Sequence, residues 1–221
     1  MGIIVISGSH PLKENISHLL QVGQPGNPVV ELKTDFVGEN GEERIGQEIE
    51  GVLKTYKNID VLISCPANPV KEEFIRQDKN TWESIIDTCL TRMMFTCKAV
   101  LPGMMRQKFG RIINVISVKA LMGESEEVVY CSALGGLVTM AKCVAKEVGR
   151  YNITMNNICY GLLNIDEREI KEGSSDYAII KQLSLKRNCS YDDIVNTIRF
   201  LITAEAGYIN GKSIILDGGV L

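Results

Sequence analysis

The stretch DDIVNTIRFLITAEAGYINGKSIILDGG, residues 192–219, runs from a helical segment at about 191–204 into a strand candidate at Ser213 to Asp217. The same rhythm extends back through the chain. Short apolar runs rich in β-branched residues stand at Ile3 to Ser7, Pro28 to Asp35, Val61 to Cys65, Arg111 to Ser117 and Thr154 to Tyr160. Between them lie helical stretches at about 15–22, 41–57, 80–107 and 130–149. Strands that alternate with helices predict a parallel sheet covered on both faces, because each crossover helix must bury its apolar stripe against the sheet. No internal repeat, low-complexity tract or long Pro/Gly linker interrupts the pattern. A chain of 221 residues with 45% hydrophobic content suits one domain, residues 1–221, with a full core.

Charge narrows the classes of partner. Lys and Arg number 24 against 27 Asp and Glu, a formal net charge of −3 with the signs interspersed. That balance predicts neither a nucleic-acid footprint nor a basic membrane patch, and favours small molecules or proteins as partners. Seven cysteines, Cys65, Cys89, Cys97, Cys131, Cys143, Cys159 and Cys189, form no CxxC pair and mostly sit in apolar runs. Scattered and odd in number, they predict free thiols, a reducing cytoplasm and no metal site. MGIIVISGSH opens as a strand without the basic and long apolar regions of a signal peptide, and no run approaches the ~18 apolar residues of a membrane span.

Three segments carry a family resemblance. WESIIDTCLTRMMFTCKAVLPGMMRQKFGRIINVIS (82–117), YCSALGGLVTMAKCVAKEVGRYNITMNNICYG (130–161) and the 192–219 stretch are similar, in order and wording, to a short-chain dehydrogenase/reductase of the acyl-carrier-protein reductase type. The resemblance implies a Rossmann-like, three-layer α/β/α, doubly wound parallel sheet. It also implies a serine and a tyrosine facing a substrate carbonyl, here Ser117 and Tyr130, thirteen residues apart. The helix from Thr81 to Met105 is apolar almost all round, as expected of a helix buried on more than one side. In the family this helix commonly builds a dimer, so homo- or hetero-oligomer contacts with a related subunit are expected through the helices at 80–107 and 130–149.

The departures from the family pattern converge on the cofactor and on acid chemistry. The family's lysine, one helical turn after the tyrosine, is Leu134, and its relay asparagine is Cys89. A tyrosine without a nearby cation keeps its pKa near ~10 and is a sluggish acid. The family's TGxxxGIG reads SGSHPLKE: Gly8 remains, but Leu12 and Glu14 replace the later glycines, which bring pyrophosphate close to backbone N–H groups. The NNAG segment reads SCPA (Ser64 to Ala67), the PG after the sixth strand reads Tyr160-Gly161, and only about two dozen residues separate Ser7 from PVVELKTD. That strand, ending in Asp35, aligns with the family's third strand, so the second strand and second helix are expected to be missing. Gly8, Asp35 and Ser64 are the vestiges of a cofactor site.

His10 reads either as a general acid or base within reach of Tyr130 or as a plain loop residue, and Cys89 as a nucleophile or a buried thiol. Lys13 reads as an anion contact or as the partner of Glu14. Three functions stay open. The first is a noncatalytic subunit or scaffold partnering an active relative, with no cofactor. The second is a cofactor-independent enzyme using Ser117 and Tyr130 on an acyl or polyketide-like substrate. The third is a reductase with an abbreviated NAD or NADP site.

Overall fold

The computed structural model describes residues 3–23, 27–33, 40–163 and 175–220. Six parallel strands form one sheet in the order β2-β1-β3-β4-β5-β6: β1 Ile4–Gly8, β2 Val29–Glu31, β3 Val61–Cys65, β4 Gly110–Ser117, β5 Ile153–Tyr160 and β6 Ser213–Leu216. The helices are α1 Leu12–Gly23, α2 Gly41–Tyr56, α3 Lys79–Ile86, α4 Arg92–Gln107, α5 Lys119–Met122, α6 Val128–Val148, α7 Ser175–Gln182 and α8 Tyr191–Leu201. Two apolar clusters, one per sheet face, make the three layers. Leu12, Ile16 and Leu20 of α1 meet Ile194, Ile198 and Leu201 of α8 on one face. Ile45 and Ile49 of α2, Met93 and Val100 of α4, and Leu134 and Leu137 of α6 cover the other.

The expected strands and main helices are all present, with shifted ends. α1 starts at Leu12 rather than 15, and α8 stops at Leu201. The single helix expected over 80–107 is broken by a π-turn, Asp87–Thr91, which widens the helix by one residue and turns Cys89 into the core. β2 pairs directly with β1, Ile4 with Val29 and Val5 with Val30, and with α2 it is the one strand-and-helix unit between α1 and β3 among the described residues. It lies at the sheet edge, and the described residues hold no strand beyond it. Asp35 lies outside the described residues.

α6 revises the reading of apolar runs. Continued to Tyr151, this helical stretch spans 24 residues, and its most apolar window has mean hydropathy 1.6. Ala133, Leu134, Leu137 and Ala141 press one side of it onto the sheet, so 44% of that window is buried in the core.

A polar row crosses the sheet beneath α4 and α6. Ser7, Ser64, Asn114, Asn157 and Ser213 stand side by side in register on five neighbouring strands. Asn114 Nδ2 donates to Asn157 Oδ1 at 2.8 Å, and Asn157 Nδ2 donates to Ser213 Oγ at 3.2 Å.

Candidate functional site at the strand ends

In an open α/β sheet the ligand crevice lies beyond the carboxyl ends of the strands, where successive connections leave in opposite directions. Here β1 is that point: the chain moves outward to β2 and then returns past β1 to β3. Gly8 ends β1 with φ +131°, and a Cβ placed there would lie 1.8 Å from the Cys65 carbonyl oxygen. Only glycine lets the two strand ends come this close.

After Gly8 the chain uses its own groups where a phosphate would bind. His10 Nδ1 accepts the Leu12 N–H at 3.0 Å, and the His10 carbonyl accepts the Lys13 N–H at 2.9 Å. His10 is therefore a buried helix cap, not a plain loop residue. Burial lowers its pKa to about 4, opposed by a hydrogen bond with the Asn68 side chain, so it is a neutral imidazole at physiological pH. Its ring packs edge-on against Tyr160, centroids 6.4 Å apart and planes at 70°, rather than meeting Tyr130. Lys13 turns from Glu14 to Glu31, 3.7 Å away, and to the Leu32 carbonyl at 3.4 Å. Leu12 is core and Glu14 is exposed.

The other side of the crevice holds the expected catalytic pair. Ser117 closes β4, and its Oγ accepts the Lys119 N–H at 3.3 Å. Tyr130, in the first turn of α6, is only 2% exposed. Burial is the first cause of a rise in its pKa above the ordinary phenol value, and the ionisable groups of Tyr160, Cys89, Glu127 and Cys131 each add to it. One turn on, Leu134 is wholly buried. Cys89 is a buried thiol pushed up to about 11 by burial, with its sulfur 4.0 Å from Thr88 Oγ1, so it is no nucleophile at neutral pH. Ser64 lies in the polar row, inside the strand rather than at its tip.

Sequence reading gave no site role to four residues. Arg92 is buried, and its Nη1 donates to Ser9 Oγ at 3.2 Å, tying α4 to the loop after β1. An arginine inside the otherwise apolar run CLTRMMF was the signal for it. Tyr160 ends β5 inside the crevice, and burial raises its pKa above the ordinary phenol range. Lys119 Nζ binds Glu127 Oε1 at 2.7 Å and lies 3.7 Å from Glu124. Glu127 is 0% exposed and its Oε2 has no hydrogen-bond partner. Its position three residues before Tyr130 was the only hint in the sequence.

The comparisons agree with this architecture. A family model described as enoyl-(acyl carrier protein) reductase matches residues 30–221. The chain belongs to the short-chain dehydrogenase/reductase family. It is 30% identical over 195 residues to the 3-oxoacyl-[acyl-carrier-protein] reductase FabG of Vibrio cholerae serotype O1, covering 84% of this chain and 80% of that protein. It is 30% identical over 199 residues to FabG of Haemophilus influenzae, covering 90% and 80%. A third relative, the 3-oxoacyl-[acyl-carrier-protein] reductase of Synechocystis, is 32% identical over 180 residues, covering 81% and 72%.

The nicotinamide dinucleotide that a short-chain dehydrogenase/reductase implies does not fit these residues. The N–H groups that open α1 are already bonded to His10, and the buried imidazole supplies bulk beside them, in a loop where the fold needs glycine. Among the groups that set the acidity of Tyr130, no cation lowers it. Ser117 and Tyr130 remain hydrogen-bonding hydroxyls, and a phenol held this high does not release its proton at neutral pH.

Proposed function

We propose that this short-chain dehydrogenase/reductase homologue performs no nicotinamide-dependent reduction and works as a noncatalytic subunit, assembling with copies of itself or with a catalytically intact relative. The observation that carries the reading is the setting of Tyr130. Leu134 stands where a lysine would promote its ionisation, and the carboxylate of Glu127 acts with the opposite sign. Assembly through α3, α4 and α6 is supported by the apolar side chains those helices leave outside, Trp82, Met94 and Val128, with Leu90 and Phe95 half-buried beside them. Seven free cysteines suit a reducing, cytoplasmic setting.

Calorimetric titration with NADH and NADPH, paired with light scattering of the protein alone and co-expressed with an intact relative, tests the proposal. The expected result is no binding up to about 1 mM and a defined oligomer. Binding tighter than that, about 4 kcal/mol of affinity, would restore the NAD(P)H-dependent reductase.

A second reading has one observation in its favour. Ser117, the Lys119–Glu127 ion pair and Tyr130 gather two hydroxyls and a carboxylate at the end of β4 and the start of α6. Such a set can polarise a carbonyl without hydride transfer. The relatives' names point to acyl-thioester substrates for this reading. An activity on such substrates that survives both Tyr130→Phe and Ser117→Ala would remove it.

A further inference from the structure

Strand order makes the His10–Tyr160 contact unusual. His10 follows β1 and Tyr160 closes β5, with the ends of β3 and β4 between them. Adjacent strands lie ~4.8 Å apart, so the two parent strands are separated by roughly 14 Å. Their ring centroids are nevertheless only 6.4 Å apart. The two side chains therefore lean toward each other over the ends of β3 and β4, across the mouth of the switch-point crevice, and both are buried there.

Each end of this bridge is fastened. On the β1 side the imidazole accepts the first N–H of α1 and bonds with Asn68, the partner it reaches just beyond β3. On the β5 side the Tyr160 carbonyl accepts the Val118 N–H at 2.7 Å, and Tyr160 is paired in register with Ser117 and Leu216. Beneath them Arg92 crosses from α4 to Ser9. An N–H group at a helix start is the donor that a phosphate would use, and a neutral imidazole nitrogen is an adequate acceptor in its place.

We infer that the chain supplies its own occupant for the dinucleotide crevice: His10 takes the acceptor place of the phosphate at the start of α1, Tyr160 roofs the strand ends, and together these two rings exclude the nucleotide. This rests on the proposal that the protein is not a nicotinamide enzyme, and it names the residues responsible. The missing lysine explains why chemistry would fail. The two rings explain why binding fails first.

The test uses the full chain and four variants, Tyr160→Ala, His10→Ser, their double variant and Tyr160→Phe, each titrated with NADH and NADPH and followed by nicotinamide fluorescence. Circular dichroism melts identify which variants are folded. The double variant and Tyr160→Ala are expected to gain at least about tenfold in affinity over the parent chain, or about 1.4 kcal/mol. Tyr160→Phe, which keeps the ring, is expected to gain nothing. His10→Ser removes only the smaller ring, and a smaller gain is expected there; it decides the matter if neither Tyr160→Ala nor the double variant folds. Folded variants that bind no better than the parent overturn the inference while leaving the proposed function intact. Sub-millimolar binding by the parent chain overturns the proposed function itself.

Discussion

The two edges of the sheet have been treated differently. On the carboxyl-terminal side, β4 and β5 are eight residues each and wholly buried, and the loop leading into β6 is fastened by a dense set of bonds. Asn156 donates to the Ile209 carbonyl at 2.8 Å and accepts the Lys212 N–H at 2.9 Å. Asn210 accepts from Met155 N–H at 2.9 Å and donates to the Ala145 carbonyl at 3.1 Å. On the amino-terminal side β2 is three half-buried residues, and the loop after β1 has bent its own side chains into the crevice. The difference supports the proposed reading, in which the frame is kept while the cofactor chemistry is given up: the bonds that fasten the loop before β6 involve none of the residues that follow β1.

The sharpest way to break this contrast is to strike the close approach of β1 and β3 on the amino-terminal side. Gly8→Ala is expected to cost about 4 kcal/mol in urea unfolding, combining a clash with the Cys65 carbonyl and backbone strain. A neutral result would mean that β1 and β3 can part freely, and that the crevice is looser than its geometry implies. On the other side, Asn156→Ala strands a carbonyl and an N–H, with an expected loss of about 3 kcal/mol by the same assay. A loss much below 1 kcal/mol would erase the claim that this half is the fastened one.

The rebuilt edge also predicts a pH signature. The His10 pKa is about 4 in the folded protein against 6.5 for the free side chain, so between those values the unfolded chain binds the extra proton. Stability is therefore complete above about pH 6.5 and declines as pH falls toward 4, by an amount on the order of 3 kcal/mol. His10→Asn, which keeps an acceptor for the start of α1, is expected to flatten that part of the pH–stability curve. Its persistence in that variant would assign the slope to another group and remove His10 as its source. The smallest effect belongs to Tyr130→Phe, expected to shift stability by less than about 1 kcal/mol. It should also leave the tyrosinate absorbance recorded up to about pH 11 unchanged, since the Tyr130 phenol is held above the ordinary range.

Much of the frame was legible because its signals are local. Val61 to Cys65 reads as a strand from five adjacent side chains, and the structure has it over the same residues. The pairing of Leu134 with Tyr130 was equally visible, since one helical turn fixes it. Other features depend on neighbours brought together only by folding. The π-turn at Cys89 leaves no mark in a run that is apolar on all sides. His10 looked like a loop residue because its partner, Tyr160, is 150 positions away and meets it only once the strand order is known. The neighbour that β2 takes is unreadable for the same reason: a short apolar strand carries no label saying which strand it will choose.

The polar row from Ser7 to Ser213 works as an alignment mark for the assembling sheet. Five strands that are otherwise nearly uniform in Val, Ile, Leu and Met could slide along one another with little loss of apolar contact. A slip of one residue between β4 and β5 would part Asn114 from Asn157, and one between β5 and β6 would part Asn157 from Ser213, each breaking a buried hydrogen bond. The row gives β4, β5 and β6 each one position where the native neighbour supplies a hydrogen bond.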